Sequence, residues 1–289
     1  MRMAALGLDG PRRVARPVQH DTRGFCTPSE NAFVRVTNGA ILTQKVRIKM
    51  SNAKLVTKLV QAHKILEAEG QGDGTLGHIT ARAVEGNGFW IKRADLAFGE
   101  IQGESDLQFL GFSGERLLGD GPIHTEWHIH AAVFVSRPEI NSVVHTHSSS
   151  AALLSACDET ILPLTTEGGY FSQAPVPLFR APKAHIDDAE NAAAMAKSLG
   201  SQMALLVRNH GIVTCGIDVA QATIVAMYLD RAARIQLQAA GLGARCAPAQ
   251  KDEMAGRAAM LHSKSFVEQT FSSYARRLTR VVLRGGSSV

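Results

Sequence analysis

The stretch Val144-His145-Thr146-His147-Ser148 puts two imidazoles one residue apart at the end of an apolar run. In a strand, alternate side chains share a face, so His145 and His147 point together while Thr146 points away. Such a pair can clamp Zn²⁺, Mn²⁺ or Fe²⁺ through one neutral ring nitrogen each. Two histidines at this spacing also occur as plain core or surface residues, so context must decide. The preceding Ile140, Val143 and Val144 predict a buried strand, and the small residues from Ser148 to Ala156 predict a helix after it. Strand ends beside helix starts are where α/β proteins usually carry their sites.

A third imidazole stands in Arg208-Asn209-His210-Gly211, between the apolar runs 204–207 and 212–215. A tight turn between two strands needs only the Asn and the Gly, which leaves His210 free for a ligand role. The acid/base candidate is Glu126, in a helix expected over Ile123 to Phe134 between Pro122 and Pro138. His124, His128 and His130 crowd the same stretch. The His124/His128 pair shares a helix face and is a weaker ligand candidate than the strand pair. The glycine-dense Gly72-Asp73-Gly74-Thr75-Leu76-Gly77 runs into the strand His78 to Arg82, so backbone N–H groups can approach a ligand there and His78 can add a donor.

The elements that must hold these groups follow from periodicity. Leu55, Leu59, Ala62, His63 and Leu66 recur at helical spacing from an N-cap at Ser51 or Asn52 to Gly70. Strands are expected at Phe89–Ile91 and Leu107–Leu110, and a loop-and-strand stretch at Pro163–Phe179. One helix capped by Asp187 or Asp188 ends at Leu199-Gly200, and a longer one runs from Asp218 to Ala240 with Gly241 as terminator. After Ala247-Pro248 a single helical stretch is expected from Lys251 to about Val282. The alternation predicts one α/β domain over residues 50–243, with a helical extension over 244–289. Residues 1–49 mix Gly, Pro and Arg without periodicity and read as a flexible leader. Met50 is a candidate native start, which the intact mass of natively expressed protein would decide.

Bulk composition narrows the class. Of 289 residues 45% are hydrophobic and 20% charged, and no apolar run approaches the ~20 needed to span a bilayer. The net charge of +5 with only 6% aromatics lacks the basic, aromatic-interleaved face of a nucleic-acid reader. Cys26, Cys157, Cys215 and Cys246 form no CxxC pair, as expected of a reduced cytoplasmic protein.

Taken in order, Gly77-His78-x-x-x-Arg82, Glu126-Trp127-x-x-His130, Val144-His145-Thr146-His147-Ser148 and Arg208-Asn209-His210-Gly211 resemble the class II aldolase/adducin family over about residues 52–243. The resemblance implies a three-layer αβα fold with a mostly antiparallel central sheet, and a homotetramer with active sites at subunit interfaces. It implies one divalent metal ion (Zn, Mn or Fe) on His145, His147 and His210, with Glu126 as catalytic acid/base. His78, Thr125 and Ser113 are the candidate substrate contacts. Phosphosugar aldolases of the family carry Asn where His78 stands and a serine pair where His124-Thr125 stand, so two phosphate-binding elements are altered.

The expected function is therefore a metal-dependent carbon–carbon lyase, aldolase or decarboxylase, acting on a non-phosphorylated hydroxy-carbonyl or hydroxyaromatic acid. An iron(II) oxygenase performing oxidative decarboxylation is the alternative, although such enzymes usually use two histidines and a carboxylate. A non-enzymatic adducin-like interaction domain is a third, disfavoured because all three histidines and Glu126 are present.

Overall fold

The computed structural model describes residues 30–183, 185–243 and 246–285. The chain divides into Met1–Gln44 and Lys45–Val289, and the second unit carries the site. Most of the expected leader lies outside the described residues.

Eight strands form one sheet: β1 (His78–Arg82), β2 (Gly88–Lys92), β3 (Leu107–Gly111), β4 (Arg116–Leu118), β5 (Ser142–Thr146), β6 (Leu178–Phe179), β7 (Ala204–Val207) and β8 (Gly211–Gly216). Their order is β4-β3-β2-β1-β5-β8-β7-β6. Neighbours are antiparallel except β6 and β7, which run parallel. The sheet is covered on both faces, and alternate residues show why. Ile79, Trp90 and Val144 enter a core with the helix α1 (Glu30–Ala68) and α6 (Val219–Gly241). Phe89, Ile91 and Val143 enter a second core with α2 (Trp127–Ser136) and α5 (Ala189–Leu199). A strand buried on both faces carries apolar residues on each, as Phe89, Trp90 and Ile91 do in β2, and the result is a three-layer α/β fold with a mostly antiparallel sheet.

Local chemistry sets the ends of these elements. Asp188 accepts from the Asn191 N–H at 2.8 Å and Asp218 from the Gln221 N–H at 2.9 Å, which caps α5 and α6. Short helices α3 (Ser149–Ala156) and α4 (Thr166–Gly169) follow the histidine strand, α3 with Ser148 as its cap. Gly211 is required where it stands, because a Cβ there would lie 2.3 Å from the Thr146 carbonyl. Asn209 takes the left-handed conformation, φ +58°, that turns β7 into β8.

Three boundaries differ from those expected. α1 does not start at Ser51 or Asn52. The Asn52 amide instead donates back to the Ile48 carbonyl at 2.8 Å and to Glu85, which places it inside a continuing helix. α2 begins at Trp127, with residues 123–126 outside it, so His124 and His128 do not share a helix face. The final stretch is two helices, α7 (Lys251–His262) and α8 (Lys264–Gly285), broken where Ser263 turns extended at ψ 135°. Leu261, Val267 and Phe271 from this stretch enter the same core as α1 and α6.

Candidate metal centre

Strand pairing places the first two histidines. β1 and β5 pair with His78 opposite His145, so both rings stand on one face at the end of the sheet. His145 Nδ1 donates to the Ile212 carbonyl at 2.9 Å across the β5–β8 ladder. That bond leaves its Nε2 as an acceptor lone pair, and the atom is buried with no hydrogen-bond partner. His147 follows one residue after the strand ends. Its Nδ1 meets Asp73 Oδ2 of the glycine-rich loop at 3.1 Å, which likewise turns a bare Nε2 inward.

His210, in the β7–β8 turn, completes the triad. Its Nε2 lies 3.2 Å from His147 Nε2, and the three ring centroids are 4.9 to 5.1 Å apart. With the proton on His210 Nδ1 both nitrogens would offer lone pairs to one cation between them. The three rings therefore have the donor chemistry of a divalent-metal site, with the tautomers of His145 and His147 set by the Ile212 carbonyl and Asp73. Burial lowers the His210 pKa to about 4 and depresses that of His147, so both stay neutral and ligand-competent at neutral pH.

Glu126 joins them, with one ligand atom from each of the four residues lying within 4.8 Å of the others. It stands at the N-cap of α2, yet its side chain makes no capping bond. Instead Oε1 accepts from the Ile186 N–H at 2.9 Å and lies 3.7 Å from His210 Nε2, while Oε2 lies 3.6 Å from His145 Nε2. Burial alone would push the carboxyl upward. His145 and His210 and the Ile186 N–H outweigh it and hold Glu126 well below the usual carboxylate range. The Ile186 bond is the well-formed contact, since His145 at 3.6 Å is beyond hydrogen-bond reach.

Around this centre lies a buried histidine network. His78 Nε2 is 4.0 Å from Glu126 Oε2, its Nδ1 pairs with His130 Nε2, and His130 Nδ1 meets Thr80 Oγ1 at 2.7 Å. Burial drives the pKa values of His78 and His130 far down, and neighbouring rings lower each further. His124 is buried with its Nε2 2.8 Å from Lys92 Nζ, and burial followed by the Lys92 charge lowers it to about 3.

The structure thus gathers His78, Glu126, His145, His147 and His210. Thr125 stands exposed beside Glu126. Ser113 lies apart, in a turn where its hydroxyl donates to Glu115, and it lines a groove between α2 and α5 that includes none of the triad. Asp73, Lys92 and His185 were not read as functional. His185 is exposed at the mouth, with Nδ1 3.9 Å from Glu126 Oε1 and its ring 6.1 Å from His210. Its loop has no periodicity, so no pattern in the sequence could have brought it here.

An antiparallel-sheet α/β unit with three convergent imidazoles and a carboxylate defines a metal-site protein of aldolase architecture. Residues 57–237 match the class II aldolase and adducin N-terminal domain family, and the chain belongs to that family. The meiotically up-regulated gene 14 protein of Schizosaccharomyces pombe is 29% identical over 194 residues, covering 63% of this chain and 72% of that one. L-fuculose phosphate aldolase of Escherichia coli is 24% identical over 188 residues, 65% of this chain and 85% of its own. Among solved structures, L-fuculose 1-phosphate aldolase from Glaciozyma antarctica superposes with a TM-score of 0.71 at 24% identity, over 81% of this chain and 92% of that one. An aldolase II superfamily protein from Pseudomonas syringae gives 0.72 at 23% identity, over 83% and 97%. Family and His/Glu cluster together make the chain a metal-dependent lyase of the class II aldolase type.

Proposed function

We propose that this lyase cleaves a carbon–carbon bond, by retro-aldol reaction or decarboxylation, in a non-phosphorylated hydroxy-carbonyl or hydroxyaromatic acid. The observation that carries the reading is the pair His78 and His124, buried and neutral beside Glu126 where phosphosugar aldolases of the family place phosphate-binding groups. A phosphate dianion wants cationic or clustered N–H donors. The His78 Nδ1 is already engaged with His130, and the Lys92 ammonium is engaged with His124 and backbone carbonyls.

His145, His147 and His210 would hold a divalent zinc, manganese or iron ion, which supplies Lewis acidity toward a substrate oxygen. Glu126 is placed to move the proton. As a carboxylate anchored by the Ile186 N–H through Oε1, it keeps Oε2 toward His78 and His145 and can take a proton from a substrate hydroxyl or return one to carbon. Thr125 is the exposed neighbour able to hydrogen-bond the substrate, and Ser113 belongs to a separate face. The groove on that face, about 770 Å³ with Phe112, Trp127 and Val135 in its lining, offers an apolar surface for contact with a second copy, in keeping with the homotetramer that the family resemblance implies. No helix among the described residues is long and apolar enough to cross a membrane, and Cys157, Cys215 and Cys246 are unpaired, which supports a reducing cytoplasmic setting.

The test is anaerobic turnover of zinc- or manganese-loaded protein on a panel of hydroxylated aromatic and 2-hydroxy acids, with L-fuculose 1-phosphate alongside. Cleavage of a non-phosphorylated acid is expected, and efficient turnover of the sugar phosphate alone would contradict the reading. A second reading, iron(II)-dependent oxidative decarboxylation, is favoured by one observation: Glu126 lies close enough to join two histidines as a carboxylate ligand. Turnover that requires Fe²⁺ and consumes oxygen would select it.

A further inference from the structure

Lys92 ends β2 with its side chain fully buried, a rare position for a lysine that must be compensated. Its Nζ donates to the carbonyls of Leu96 at 2.7 Å, Thr75 at 2.8 Å and Arg93 at 3.3 Å, and meets His124 Nε2 at 2.8 Å. Three of these four partners can only accept. Burial lowers the Lys92 pKa to about 8, opposed by Asp95 and Glu100, so it remains an ammonium at neutral pH. An ammonium has no lone pair. His124 Nε2 must therefore be the acceptor, and the ring proton must reside on Nδ1.

We propose that Lys92 is a positioning residue that locks His124 in the Nδ1–H tautomer, so that His124 presents one neutral hydrogen-bond donor to a carbonyl or hydroxyl oxygen of the substrate beside Glu126. No described residue bonds the His124 Nδ1, whose ring lies 4.6 Å from that of His78 and two residues before Glu126. Two consequences follow for recognition. The donor is fixed without a tautomeric search, since the alternative would set an N–H against an ammonium. It also offers a single N–H, so it suits one polarised oxygen rather than the several oxygens of a phosphate. This inference rests on the lyase reading for its substrate, but the Lys92–His124 contact itself involves no metal ligand.

The test is a two-bond proton–nitrogen correlation spectrum of zinc-loaded, full-length protein with isotope-labelled histidine at neutral pH. His124 is assigned by the signal lost in His124→Phe and is expected as the Nδ1–H tautomer. Lys92→Met should release His124 from that single tautomer while zinc per chain is unchanged. Glycolate, a minimal 2-hydroxy acid, should shift the wild-type His124 Nδ1–H signal and bind Lys92→Met about 5-fold more weakly, the scale of one hydrogen bond. An Nε2–H or doubly protonated His124 in the wild type would overturn the proposal, and that measurement holds even where Lys92→Met does not fold. An unchanged tautomer in a folded Lys92→Met would also overturn it, as would glycolate binding that leaves His124 unmoved. Loss of zinc binding by the wild type would instead count against the metal-site reading and leave the tautomer assignment standing.

Discussion

His147 Nδ1 sits 3.1 Å from Asp73 Oδ2, so a carboxylate in the glycine-rich loop sets which nitrogen of a candidate metal ligand faces the site. The bond joins residues 74 positions apart, and it gives the loop a task beyond turning the chain. Asp73→Ala should weaken metal affinity by roughly 10-fold, the lower end of the usual range for an orienting partner, because the Asp73 side chain is half exposed and water can replace it. Competition against a chromophoric chelator measures this, and an unchanged affinity would show that Asp73 does not orient the ring.

Glu126 makes no capping bond at the helix it precedes, so its removal should spare the fold. Glu126→Gln keeps the shape and an acceptor for the Ile186 N–H but cannot carry the proton. The expected result is unchanged metal content with turnover slowed by about 10²-fold or more. A Gln variant with wild-type turnover would remove Glu126 from the acid/base role.

Stability should fall with acid in a defined window. His63 is buried, with Nδ1 bonded to the Leu59 carbonyl at 2.8 Å and Nε2 without a partner. Burial takes its pKa from 6.5 down to about 3, partly opposed by the Leu59 carbonyl, with Lys92 adding to the drop. The folded state then binds fewer protons than the unfolded state between these values. Stability is fully present above pH 6.5 and is lost as pH falls toward 3, by up to about 1.4 kcal/mol per unit for one such group. Urea midpoints of metal-free protein across this range should show the slope, and His63→Leu should flatten it by about one proton. An identical slope in the variant would place the acid sensitivity elsewhere.

Much of the site could be read from spacing alone. The strand period put His145 and His147 on one face, and the surplus imidazole in an Asn-Gly turn pointed to His210, which the turn does deliver to His147. Each of these positions is set by a local rule. Asp73, Lys92 and His185 escaped because their roles depend on tertiary approach: a loop carboxylate meeting a strand end, a β2 ammonium meeting a pre-helical histidine, a loop arriving over Glu126. Helix starts were read poorly for a related reason. Ser51 and Asn52 have cap chemistry but bond backward into α1, while Glu126, expected within a helix, precedes one and places its carboxylate on the Ile186 N–H instead of on the helix. Strand direction left no local trace either, since strands buried on both faces look alike whether parallel or antiparallel.

The central claim is that three imidazoles, one in β5, one just after it and one in the β7–β8 turn, hold one divalent cation. Elemental analysis of purified protein after dialysis against zinc or manganese, paired with His145→Ala checked for retained fold by circular dichroism, tests it most directly. The account predicts about one ion per chain in the wild type and almost none in the folded variant. Equal metal in both, or none in the wild type, would contradict it.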